Sequence, residues 1–305
     1  MPKRRALGLL SVSVTVSFGA LFYAFSVLIT DDAAGAEFST SALSTAYSGA
    51  LLVAGSVAYP IGRWADKYGI RSIIGAGALA GSLGLFLYGR AGEPWQIVAI
   101  SVGLLGPAAG LLFYEPAFVA VDRWFPADRK GRALGVLTVV GGLAGPVFIP
   151  LTSWLVSAVG WRDTCTVLAL AVLAAAGMAG TVRTPPSHGA AHRDHGGHVE
   201  VRTAMRDSRF ILFGAGLALS FAAVQALLFH RIAAFEDAGW SVPLVGGLAA
   251  VSGLAGLPGR YLAPILSEKV SPATVNAGLD VAMAAAACLV GGGAAGLQLG
   301  GPFIV

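Results

Sequence analysis

Four side chains set inside otherwise apolar runs carry whatever binding chemistry this chain can do: Tyr23, Glu115, His230 and Arg260. Isolating a charge near the centre of a bilayer costs at least about 2.5–3.5 kcal/mol, so an ionisable group kept there has a partner or a task. Arg260 either holds an anion or snorkels to the interface along its alkyl stem. Glu115 and Asp280 each carry a proton, pair with a cation such as Arg260, or tie helices together. His230 stands beside Arg231 at the end of its run. An imidazole changes protonation near neutral pH, so the pair attracts an anion or anchors the interface. Tyr23, with Phe22 and Phe25, lies at helical spacing that suits either packing or a cavity wall.

The composition decides what medium these groups sit in. Of 305 residues 56% are hydrophobic and 12% charged, with a mean hydropathy of +0.75. A water-soluble domain of this length lacks the charge to cover its surface at that ratio. The formal charge of +4 comes from Lys and Arg in short bursts between apolar runs. That is the pattern of loops held on the cytoplasmic side, and no nucleic-acid function follows from it. Cys165 and Cys288 fall inside apolar runs and read as small buried hydrophobes. His188, His192, His195 and His198 lie among glycines and near two prolines, which gives no fixed cage for a metal. No phosphate-binding loop, Gly-x-Ser-x-Gly elbow or metalloprotease helix motif is present, so no enzyme activity, cofactor or metal is expected.

At about 1.5 Å per residue, a run of about 20 apolar residues crosses a hydrocarbon core of about 30 Å. Six such runs precede residue 183: Ala6–Ile29, Ala42–Ile61, Ser72–Tyr88, Trp95–Val121, Ala133–Val156 and Thr164–Val182. Arg183–Arg209 is the long polar segment and reads as a cytoplasmic linker. Phe210–Ile232, Leu244–Leu266 and Ala273 to about Leu297 supply three more. The domains are thus a six-helix bundle over 1–182, a His/Arg-rich linker over 183–209 and a partial bundle of about three helices over 210–305. Of the 20 Lys and Arg, only Arg90, Arg162 and Arg231 lie near expected outer ends. The N-terminus is therefore expected in the cytoplasm of a multi-pass cell (inner) membrane protein.

Between the second and third runs stands Gly62-Arg63-Trp64-Ala65-Asp66-Lys67-Tyr68-Gly69-Ile70-Arg71. This spacing resembles the loop between helices 2 and 3 of major facilitator superfamily transporters. Gly62 would let two helix ends approach, Asp66 would face a helix N-terminus, Gly69 would supply a turn, and Arg63, Lys67 and Arg71 would hold the loop inside. Further on, Trp124-Phe125-Pro126, Arg129, Arg132-Ala133-Leu134-Gly135, Gly141 to Pro146, Phe148, Pro150 and Gly160-Trp161-Arg162 resemble the monocarboxylate and oxalate/formate branch of that superfamily. Gly141, Gly145 and Pro146 also resemble the fifth-helix motif of proton-coupled drug antiporters, although the glycine usual after Gly-Pro is missing. Small residues there also suit close helix packing.

The resemblance implies an all-α integral membrane fold of the major facilitator type, with the substrate site between two halves. It implies a secondary transporter of a small organic anion such as a monocarboxylate, working by alternating access with a coupling proton or counter-anion. Arg260 occupies the place of the arginine that holds the carboxylate in that branch, whereas the branch's aspartate four residues earlier is replaced by Gly256. The motif at 62–71 would gate the cytoplasmic side by meeting the start of an eleventh helix. Nine helices leave that helix missing, so the chain is expected to be truncated. A drug efflux transporter, and a non-transporting fragment or membrane interaction protein, are the alternatives.

Overall fold

The computed structural model describes residues 3–29, 32–182, 206–237, 239, 254–271, 274–282, 284 and 285. Among the described residues every regular element is a helix. They fall into two compact units, residues 1–187 with 256–265, and residues 188–255 with 266–305.

In the first unit α1 is Lys3–Leu28, and α2 is the bent pair Thr40–Ser56 and Ala58–Tyr68. Next come α3, Ile70–Tyr88, and α4, Pro94–Trp124. The apolar stretch Asp128–Gly180 then runs for 53 residues. At about 80 Å it is far longer than one crossing needs. Gly160 divides it, with φ +79° and ψ 163°, a conformation that glycine adopts without a Cβ penalty. The result is α5, from Ala127 to residue 159, and α6, residues 161–180. Gly69 has nearly the same backbone, φ +79° and ψ 166°, between α2 and α3. Six long helices thus lie before residue 183, besides the short Asp32–Glu37 turn of helix, and each apolar run has become one of the six.

Their ends differ from the apolar boundaries. The charged stretch 62–68 is helical and completes α2, so the turn shrinks to Gly69. Likewise α5 begins at Ala127 and not Ala133, and the loop before it shrinks to Phe125 and Pro126. Hydropathy marks where lipid begins, but Arg, Lys, Asp and Ala remain competent helix formers beyond that boundary. Gly62 and Arg63 are exposed, and nothing lies within 4 Å of a Cβ built on Gly62. Among the described residues, then, no second helix end approaches Gly62.

Three internal breaks share one cause. Val57, Phe113 and Leu143 interrupt α2, α4 and α5, and each stands three residues before a proline, Pro60, Pro116 or Pro146. Proline offers no N–H to the carbonyl four residues back and its ring crowds it, so the helix bends there. At Val57 the bend is 44°.

Small residues let these helices close on one another. A Cβ on Gly106 would lie 2.7 Å from the Ala50 carbonyl, and one on Gly110 would lie 3.1 Å from the Ala54 carbonyl, which places α4 directly on the α2 backbone. Gly77 and Gly84 give α3 the same closeness to α4, at 2.7 Å from Leu112 and 2.6 Å from Leu105. Such contact is how helices associate in lipid, where the tails are as apolar as the side chains. Outward-facing Leu52 and Leu79 are 74% and 68% exposed, a surface suited to acyl chains and not to water.

At the turn between α5 and α6, Arg162 ties three connections together. Its guanidinium pairs with Glu37, donates to the Gly89 carbonyl at 2.9 Å and lies over the Trp161 ring at 4.5 Å. A half-exposed ion pair alone stabilises by about 0–1 kcal/mol; the carbonyl bond from a charged donor adds about 1.5–3 kcal/mol. Arg162→Ala is therefore expected to lower the thermal midpoint of the detergent-solubilised protein by several degrees, while Glu37→Gln lowers it by less. Equal losses in the two variants would show that the ion pair, not the bond to Gly89, dominates.

In the second unit α7 is Ser208–Asp237, and a ninth helix, α9, covers residues 274–282. A groove of about 230 Å³ between them is lined by Leu212, Phe213, Ser220, Asn276 and Asp280 among others. Asn276 donates to the Asp280 carboxylate at 3.0 Å.

Candidate functional site

The candidate site is built on the stretch of α5 that contains Gly141, Gly142 and Gly145. A Cβ on Gly141 would lie 2.4 Å from the Tyr114 hydroxyl oxygen and 2.8 Å from its ring. At Gly142 it would meet Arg260 Cδ at 3.0 Å and Nε at 3.2 Å, and at Gly145 the Tyr23 ring at 3.1 Å. The missing side chains leave notches that seat a phenol from α4, the Arg260 guanidinium and a phenol from α1. Gly141 and Gly145 therefore receive aromatic side chains here.

The helix α8, Leu257–Leu266, belongs with the first unit over residues 256–265. Pro264 lies four residues beyond Arg260, so the Arg260 carbonyl has no intrahelical N–H to accept. The Thr138 hydroxyl of α5 stands 2.9 Å from that carbonyl. The same hydroxyl also reaches the Leu134 carbonyl at 2.9 Å and the Gly135 carbonyl at 3.1 Å; of the three acceptors, only the Arg260 carbonyl faces a proline four residues on. Gly135 allows this approach, since a Cβ there would lie 2.8 Å from the Tyr261 carbonyl. The backbone that carries Arg260 is thus pinned, while the side chain itself is exposed and its guanidinium faces the Tyr114 hydroxyl. Losing an exposed hydrogen bond of this kind costs about 0.5–1.5 kcal/mol. Thr138→Val is expected to lower the melting midpoint by several degrees and Thr138→Ser to restore it; a silent Thr138→Val would remove this contact from the site.

Two local irregularities aim the aromatic groups. Gly19–Tyr23 is a π-helical turn inside α1, one residue wider than an α-turn, and it rotates Phe22 and Tyr23 out of the register that precedes them. Proline 116 breaks α4 at Phe113, whose ψ of −154° swings Phe113 and Tyr114 away from the preceding turn. The two segments meet. Phe18 lies 4.1 Å from Phe113 and 5.3 Å from both Phe22 and Tyr114, centroid to centroid. Phe22 extends the cluster to Tyr23 at 5.1 Å and Tyr47 at 5.8 Å. All six rings are half-buried.

The remaining candidates fall elsewhere. Glu115 is exposed one residue past Tyr114, and no ion pair joins it to Arg260 among the described residues. His230 lies on α7, and its side chain, like those of Asp66 and Lys67, is outside the described residues. Residues 183–205, with the four histidines, are outside them too. No cluster of potential metal ligands occurs among the described residues.

Residues 7–305 match the family described as Major Facilitator Superfamily. The chain belongs to that superfamily. Its members are transporters and not enzymes, and with its apolar helices the chain is a multi-pass membrane protein. Over 188 residues, 58% of this chain, it is 30% identical to the multidrug resistance protein MdtH of Shigella flexneri, covering 43% of that protein. Over 220 residues, 71% of this chain, it is 25% identical to an MFS-type transporter of Gibberella moniliformis, covering 51% of it. The chain thus spans about half the length of these curated relatives. The fold is also that of the proton:xylose symporter XylE, with a TM-score of 0.60 at 14% identity over 85% of this chain and 69% of that one.

Proposed function

We infer that this chain is the substrate-holding part of a secondary transporter for a small organic anion, such as a monocarboxylate, driven by a proton or a counter-anion through alternating access. The observation that carries the reading is Arg260, exposed over Gly142 beside the Tyr114 hydroxyl, on a backbone pinned by Thr138. A guanidinium with a phenol donor next to it matches the planar, two-oxygen face of a carboxylate. The distribution of Lys and Arg supports a cytoplasmic N-terminus, in a protein of the cell (inner) membrane. The stretch Gly62 to Arg71 acts as a cytoplasmic gating element, and 183–209 links the six-helix bundle 1–182 to 210–305.

Drug efflux is the second reading. It is favoured by the printed name of MdtH and by Gly141, Gly145 and Pro146. Uptake of radiolabelled short carboxylates into proteoliposomes, with and without an inward proton gradient, separates the two. Uptake above protein-free vesicles supports the anion reading. No uptake of any carboxylate, together with drug resistance on overexpression, overturns it in favour of efflux.

A further inference from the structure

We propose that the substrate class of this site is an aromatic carboxylate: an anionic group for Arg260 attached to a flat ring. The proposal rests on the anion reading above and narrows it. Its ground is the wall that continues from the guanidinium. Tyr114 touches Arg260 at one end and Phe18 at the other, and from Phe18 the rings run to Phe113, Phe22 and Tyr23. Tyr23, Phe113 and Tyr114 pack against the buried core clusters, yet all five rings, Phe18 and Phe22 included, keep part of their surface uncovered. They are half-covered, next to a cation.

The chemistry of the wall is selective in two ways. Rings in this cluster are tilted by 32° to 81° and spaced at 4.1–6.1 Å, so edges and faces are both presented. A flat ring gains edge-to-face and offset contacts from such a surface, which a flexible alkyl chain does not. An alkyl chain also loses rotamer freedom on binding, whereas a ring joined directly to its carboxylate has almost none to lose. The notches at Gly141 and Gly145 keep Tyr114 and Tyr23 close against α5.

Binding of benzoate and hexanoate to the purified protein, by calorimetry and by competition for uptake, tests the proposal. The acids are of similar size, each with one carboxylate. Benzoate is expected to bind about tenfold more tightly, and Phe18→Leu, which keeps an apolar side chain and removes the ring, is expected to abolish that preference by weakening benzoate more than hexanoate. Equal affinities, or a Phe18→Leu loss shared equally by both acids, overturns the proposal. Uptake of hexanoate without benzoate overturns it and leaves the anion reading intact. Binding of neither, in protein whose melting transition is normal, removes both. Phe113→Leu gives a second route if Phe18→Leu fails to accumulate.

Discussion

Arg260→Ala is expected to weaken carboxylate binding at least about 100-fold, equivalent to about 2.7 kcal/mol. Charged hydrogen bonds contribute about 1.5–3 kcal/mol each, and a forked guanidinium makes two to a carboxylate. Screening reduces the sum, because the side chain is exposed in the described structure. Arg260→Lys keeps the charge and loses the fork, so it should recover no more than about tenfold of the loss. Neither variant should shift the melting midpoint by more than a degree or two, since the carbonyl of residue 260 still receives the Thr138 hydroxyl. Unchanged affinity in Arg260→Ala would return the residue to interface anchoring. A large fall in stability with unchanged affinity would make it a strut between α8 and α5.

The crossings of the first bundle could be read from apolar runs because a bilayer imposes one length on every span. Their ends could not, because the helix continues into charged residues such as Arg63 and Asp128 after the lipid has ended. The break at Phe113 lies where the missing N–H of Pro116 requires. Arg260 and Tyr23 stood out as a charge and a phenol in apolar surroundings. What spacing could not convey was their common seat, since it does not say that one face of α5 meets α1, α4 and α8 together. Tyr114 went unselected for that reason. Its signal was a tyrosine two residues before a helix-breaking proline, facing a helix with two adjacent glycines. The π-turn at Gly19–Tyr23 left no trace in the sequence, because it is set by what Gly19 packs against.

That packing gives the other large effect. A Cβ added at Gly19 would lie 2.2 Å from two atoms of the Phe148 ring and 2.6 Å from a third, closer than nonbonded carbons approach. Phe148 is 6% exposed, and its ring, unlike the end of a flexible chain, has no open side to rotate into. Either the ring leaves its rotamer or α1 moves off α5, and such overpacking costs about 1–3 kcal/mol. Gly19→Ala is therefore expected to lower the melting midpoint by several degrees. Gly19 also opens the π-turn that carries Tyr23, so a shift of α1 displaces Tyr23 from the notch at Gly145 and disturbs the ring wall, adding a loss of ligand affinity. The two consequences separate in the double variant. Gly19→Ala with Phe148→Leu relieves the collision and should recover most of the stability. If Tyr23 returns to its notch, affinity recovers with it; if the π-turn itself requires glycine, stability recovers and affinity does not. Full stability and affinity in the single Gly19→Ala variant would mean that α1 and α5 are not in the contact described.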